Sequence, residues 1–180
     1  SCYAPVRPFP GMFRAMEKRR ADFWGLTFNR QRSGTPHLQS FFLVFRRPVL
    51  DAGALESFFA ERPEHATRSE AIDRFEIQLT AHLRRRGFVP DAFVRPCFPR
   101  LRHKFNPTTR PLDLIRRYKS PLVKAKAFTG ESSQAPERLL DLVERLNPDL
   151  ATAIRLEAPS RPAQPVSTLE PRLPAGMRPC

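Results

Sequence analysis

The longest unbroken apolar run in the chain lies between His37 and Arg47, where every position from Phe41 to Phe45 is hydrophobic. A run without alternation predicts a strand covered on both faces, a central strand between helical layers. Shorter strands are predicted at Ala21–Thr27, from its aromatic content, and at Phe88–Val94. Elsewhere the spacing changes to that of helices. Pro10 opens a first helix with Met12, Phe13 and Met16 on its apolar face and Lys18-Arg19-Arg20 at its end. Pro48 opens a second, running to about Glu61, with Leu50, Leu55, Phe58 and Phe59 inward. Thr67 and Glu70 have the spacing of a capping box. The helix that follows runs to Arg86 and carries Ile72, Phe75, Leu79 and Leu83 on one stripe. Gly87 is its natural C′ residue. Shorter helices are expected around 110–118, 120–128 and 136–146.

Between these elements lie polar, irregular stretches: Asn29 to Pro36, and a basic loop from Pro96 to Pro111. Prolines at 159, 162, 165, 171, 174 and 179 predict a disordered tail over 157–180, behind a folded unit over 1–156. The order of helices and strands predicts a mixed α/β layer structure. Its pieces are too few for a complete nucleotide-binding sheet, so the chain reads as a fragment that lacks an N-terminal portion.

Composition narrows the choice of partner. The chain has 180 residues, with 31 Lys and Arg against 18 Asp and Glu, a formal charge of +13. Apolar residues make up 41 %, enough for a core, and no apolar run reaches the length of a membrane-spanning helix. Most of the cations are Arg, which grips phosphate and carboxylate in a fork. A nucleotide sugar, a nucleic acid or an anionic membrane face would each suit that charge, and so would a merely solvated basic surface. Cys2, Cys97 and Cys180 form no CxxC pair, which argues against a disulfide scaffold and fits a reducing, cytoplasmic location. The sequence has no Walker loop, GxGxxG, GxSxG, or paired Cys/His metal spacing.

Some residues carry candidate chemistry. Glu76 falls on the apolar stripe, four after Ile72 and three before Leu79. A carboxylate there must be paired, hydrogen-bonded or protonated, so it is a candidate general base; the alternative is a structural ion pair with one of the arginines. His37, Gln39 and Ser40 stand at the start of the predicted central strand, where polar groups line sites in α/β proteins or simply meet water. Asp22 and Trp24 share a face if their segment is extended. They suit a sugar, or else a strand end and a core Trp. His103, Lys104, Lys119, Lys124 and Lys126 form a second basic region that suits a diphosphate or a solvated surface.

Four blocks, taken in order, resemble a known family. They are Asp22-Phe-Trp-Gly-Leu-Thr27, His37-Leu-Gln-Ser-Phe-Phe-Leu-Val-Phe-Arg46, Phe75-Glu-Ile-Gln-Leu-Thr80 with Gly87-Phe88, and Asn106-Pro-Thr108 with Ser120-Pro-Leu-Val-Lys124. Over residues 1–128 they resemble the rhamnan synthesis protein F family. The resemblance implies the C-terminal part of a GT-A-like glycosyltransferase domain: a mixed sheet with flanking helices, lacking the N-terminal nucleotide-binding strands. It implies synthesis of a bacterial rhamnose-containing cell-surface polysaccharide, of the lipopolysaccharide O-antigen kind. The donor would be a nucleotide-diphosphate sugar such as dTDP-rhamnose, and the acceptor a glycan or lipid-linked glycan. A divalent metal, Mg or Mn, would sit on the diphosphate, held by an Asp expected just upstream of Ser1, so no metal ligand is assigned in this chain. Glu76 matches the family's block and becomes the general base. Asp22, Trp24, His37, Gln39 and Ser40 become sugar-lining residues, and Lys124 a diphosphate ligand. The isolated fragment is expected to be inactive.

Two other functions compete. One is a basic module holding nucleic acid, which the scattered cations and core-like Phe runs argue against, so no nucleic acid is expected. The other is a non-catalytic domain kept for assembly. A cytoplasmic enzyme with this charge would also rest on the anionic inner membrane, where lipid-linked acceptors lie.

Overall fold

The fold is built around a strand that begins two residues after Ala21. In the computed structural model, which describes residues 2–29, 36–60, 67, 70, 72–95, 107–128 and 136–157, β2 (Phe23–Asn29) is bordered on both edges. Along one edge runs β5 (Pro90–Val94), parallel, with Gly25 opposite Ala92 and Thr27 opposite Val94. Along the other run β3 (His37–Leu38) and β4 (Leu43–Phe45), both antiparallel. Every residue of β2 from Phe23 to Thr27 is buried. β2, not the His37–Arg47 segment, is therefore the central strand, which corrects the expectation from the apolar run. Phe41 to Phe45 are only half-buried.

The reason lies in the register. Between the pairs Phe28–Leu38 and Gly25–Leu43, two residues of β2 face four residues of its partner. The two extra residues make the edge strand bulge at Gln39–Phe42, and a bulge interrupts a ladder. The interruption packs hard against β2. A Cβ on Gly25 would lie 2.9 Å from the carbonyl oxygen of Phe42 and 3.3 Å from side-chain atoms of Leu38 and Leu43. Only glycine lets the two backbones come so close.

Helices cover both faces. On one side α1 (Pro10–Glu17) lays Met12 and Met16 against Trp24 and Leu26, together with Leu114 and Leu122. On the other lie α2 (Arg47–Asp51), α3 (Ala54–Ala60) and α4 (Leu79–Arg85), where Val49, Phe58, Leu79 and Leu83 enclose Phe23 and Leu38. The single helix expected from Pro48 to Glu61 is broken, because Gly53 adopts φ +58°. A left-handed residue resets the helical phase, so the buried positions are Val49, Ala54 and Phe58, while Leu50 and Phe59 are exposed.

The capping box forms as its spacing predicts. Thr67 N–H donates to Glu70 Oε2 at 2.8 Å, and Glu70 N–H donates to Thr67 Oγ1 at 3.3 Å. The Thr67 N–H holds the Glu70 carboxyl below its ordinary range, so the cap is intact above that range and is lost as pH falls through the lowered value. Gly87, at φ +89°, closes the far end of α4 in a Schellman turn. Its N–H donates to Arg84 O at 3.0 Å, and Phe88 N–H donates to Leu83 O at 3.1 Å. Just before α4, Asp73–Gln78 is a π-helix, a wide turn that the α-helical spacing does not predict.

Arginines fasten α1 to the sheet. Arg46 donates to the carbonyls of Met16 and Arg19 at the end of α1, where a cation is favoured. Arg19 donates to Ala92 O at 2.8 Å.

A further cluster forms beside this unit. β1 (Cys2–Tyr3) pairs antiparallel with β6 (Val123–Lys124), and α5 (Pro111–Arg116), α6 (Pro136–Leu146) and α7 (Pro148–Glu157) share a core of Val6, Ile115, Leu139, Val143 and Ile154. The helix expected at 120–128 is instead β6 followed by a 3-10 turn at Ala125–Phe128. α7 is an element the sequence pattern had not suggested. Asn147 Oδ1 accepts from Leu150 N–H at 3.1 Å, and Asn147 Nδ2 donates to Pro5 O at 2.8 Å. Asn before Pro148 is a helix start that the sequence does carry. The predicted tail and most of the Pro96–Pro111 loop lie outside the described residues.

The close approach at Gly25 makes a direct prediction. Gly25→Ala should lower stability by about 1–3 kcal/mol, as overpacking does. Gly11→Ala, where a Cβ meets nothing within 4 Å, should be neutral or stabilising by up to about 1 kcal/mol. Urea unfolding of the two variants checks both.

Candidate active site

The bulge between β3 and β4 brings three of the expected residues together. Ser40 N–H donates to Glu76 Oε1 at 3.2 Å, and Ser40 Oγ donates to the same oxygen at 2.8 Å. His37 Nε2 stands 3.8 Å from Glu76 Oε2, beyond hydrogen-bond length. The His37 side chain is fully buried, and that of Glu76 is 12 % exposed. Both backbones contribute to this meeting. The two extra residues of the edge strand push Ser40 out of the ladder, and the π-helix carries Glu76 on its wide turn. π-turns inside helices are frequent at functional sites.

Buried polar bonds hold the bulge in place. Gln39 N–H donates to Thr27 O at 3.2 Å, and Thr27 Oγ1 donates to Gln39 Oε1 at 2.6 Å. Leu38 N–H donates to Thr80 Oγ1 at 3.1 Å, which ties β3 to α4. Thr27, Gln39 and Thr80 are all buried. Gln39 is thus a fastener to β2 rather than an open lining group. Thr27 and Thr80 were not singled out from the sequence. Thr80 stands four residues after Glu76 and so shares its helical face, which was the available signal.

The arrangement sits at the carboxyl end of β2, since His37 pairs with Asn29. In open α/β sheets that is where ligands bind. The two oxygens of Glu76 differ. Oε1 takes both donors of Ser40, while Oε2 faces only His37 among the described residues. A carboxylate oriented through one oxygen and open at the other can accept a proton from a substrate hydroxyl.

Other expected residues lie elsewhere. Asp22 precedes β2 at its opposite end, about 23 Å from Asn29 at roughly 3.3 Å per residue. Its Oδ2 accepts from Val89 N–H at 2.8 Å, a bond that joins the starts of β2 and β5. Trp24 is 2 % exposed. Phe13 packs edge-on against it at 5.5 Å between centroids, and Phe42 lies at 5.6 Å. Trp24 therefore has no open face on which a sugar could stack, and it is a core residue. Lys124 lies on β6, with its Nζ 4.5 Å from the centroid of Phe41, the residue after Ser40. His103 and Lys104 lie outside the described residues.

A buried carboxylate, Asp91, escaped the sequence reading. Its Oδ1 accepts from Ala92 N–H at 2.7 Å and from Arg95 Nε at 2.9 Å, and Arg19 Nη1 lies 3.6 Å from Oδ2. With both oxygens engaged, it serves structure. Among the described residues no three His, Cys, Asp or Glu side chains gather as a metal site. No helix among them is long and apolar enough to cross a membrane.

The Thr80 bond is open to test. Thr80→Val should strand the buried Leu38 N–H and lower stability by about 1–3 kcal/mol, with Thr80→Ser restoring most of it. Thermal unfolding of both variants measures the difference.

The family model described as Rhamnan synthesis protein F matches residues 1–157 of the chain. No curated protein and no solved structure matches it.

Proposed function

The chain belongs to the rhamnan synthesis protein F family, and on that premise we propose that it serves sugar transfer onto a rhamnose-containing polysaccharide, with Glu76 as general base. The family ties the chain to rhamnan synthesis; the transfer chemistry is our reading of the site. The observation that carries it is the nearly buried Glu76 carboxylate, oriented by Ser40 beside His37 at the carboxyl end of the central strand.

The chemistry follows from the two oxygens. An acceptor hydroxyl is a weak nucleophile until its proton is removed. Glu76 Oε2 would take that proton as the hydroxyl oxygen attacks the anomeric carbon of the donor. Ser40 keeps the carboxylate from rotating, so its open oxygen meets the hydroxyl without a search. His37 stands beside that oxygen, with Nε2 at 3.8 Å. The leaving group is a nucleoside diphosphate, with dTDP-rhamnose the first donor to try. Lys124 remains a cation candidate for its charge. Asp22 and Trp24, given their contacts, take no part. The acceptor would be a glycan or a lipid-linked glycan, and a net charge of +13 suits a cytoplasmic position on an anionic membrane face. The GT-A-like architecture belongs to this proposal as well, since sugar transfer of this kind needs a donor site beside the sheet.

Glu76→Gln tests the assignment in the whole protein. Gln keeps an oxygen for Ser40 but cannot take a proton. Transfer from dTDP-rhamnose should fall by roughly 10²–10⁴-fold while the donor KM stays within a few-fold. Turnover equal to that of the wild type would remove Glu76 from the mechanism.

A further inference from the structure

A trough of about 440 Å³ opens beside α1, lined by none of Glu76, Ser40 and His37. Met12, Ala15 and Phe93 give it an apolar floor, and Tyr118 adds an aromatic wall. Two cations line it, Arg7 and Lys119, and no carboxylate is among its described lining residues. Their meeting is built into the fold: Val6 N–H donates to Pro121 O at 2.8 Å, which lays the segment bearing Arg7 along the one bearing Lys119.

Two further observations point to a ligand. Arg7 Nε is buried and has no hydrogen-bond partner. Buried donors are nearly always satisfied, so such a group is an unused binding element. Lys119 holds a left-handed backbone, φ 56°, where glycine is easiest. The turn lets Ser120 N–H reach Leu114 O at 3.0 Å and places a lysine beside the trough. Strained residues of this kind gather at ligand clamps.

An apolar trough with two cations and no anion is complementary to an amphiphile with an anionic head. Two cations match the −1.5 to −2 charge of a phosphate monoester better than the single charge of a carboxylate. The forked Arg guanidinium suits phosphate oxygens. We propose that this trough binds the phosphate head and first carbons of a lipid-like alkyl phosphate. The site is independent of Glu76, and it holds or fails whatever the fate of the sugar-transfer reading.

Octyl phosphate, kept below its micelle concentration, is the probe, titrated calorimetrically into the full chain. It should bind at least tenfold more tightly than either octyl glucoside or inorganic phosphate. Arg7→Gln and Lys119→Asn should each weaken it about tenfold, with no change for octyl glucoside. Asn tolerates the left-handed backbone, and the Lys119 side chain is exposed, so this variant decides the matter even if Arg7→Gln folds poorly. Equal affinity for octyl glucoside would reduce the trough to an apolar surface. Equal affinity for inorganic phosphate would make it a plain anion site. No binding of octyl phosphate, or affinity untouched by Lys119→Asn, would overturn the proposal outright.

Discussion

The two surplus residues on the edge of β2 control most of what this protein presents. A strand paired in perfect register would carry Ser40 in the ladder, with its N–H spent on β2 or left at the sheet edge. The surplus instead breaks the regular pairing over Gln39–Phe42, and the freed Ser40 N–H finds Glu76. Gly25 makes the bulge possible by leaving room for the Phe42 carbonyl. Thr27, Gln39 and Thr80 then satisfy the buried polar groups that the interruption exposes. A bulge beside a site re-aims a side chain, and here it re-aims one toward a carboxylate.

The carboxylates of Asp91, which is buried, and Glu76, which is partly exposed, show how position separates scaffold from chemistry. Asp91 is saturated: a backbone N–H and Arg95 occupy its oxygens, with Arg19 close behind. Burying a charge is costly unless it is paired in this way. Glu76 is held through one oxygen and approached at a distance through the other. The first arrangement resists change, and the second leaves a basic atom available.

The arginines are divided in the same sense. Arg19 and Arg46 are absorbed into the join between α1 and the sheet, where they cap carbonyls and steady Asp91. Arg7 is not absorbed, and its buried Nε faces no acceptor. A large positive charge therefore does not act as one field. Part of it holds the fold together, and part remains for anions.

Local chemistry was legible wherever the chain itself supplies both partners. The Thr67–Glu70 cap, the Gly87 turn, the start of α1 at Pro10 and the span of α6 follow from neighbours within a few residues. The four sequence blocks also carried the family, because a family signature is a property of residue order. The sequence further placed Glu76 on an inward stripe and the polar trio at a strand entrance. It could not say which strand lies at the centre, because an apolar run of Phe and Leu reads the same whether it fills a sheet or wraps its edge. Nor could it separate Trp24 as core from Trp24 as sugar platform, since aromatic surface suits both. Those choices depend on contacts between segments far apart in the chain, such as Trp24 with Phe13 and Phe42, or Ser40 with Glu76. Residue order sets what each segment prefers, while the competition among segments for the same buried space is settled only when all of them pack at once.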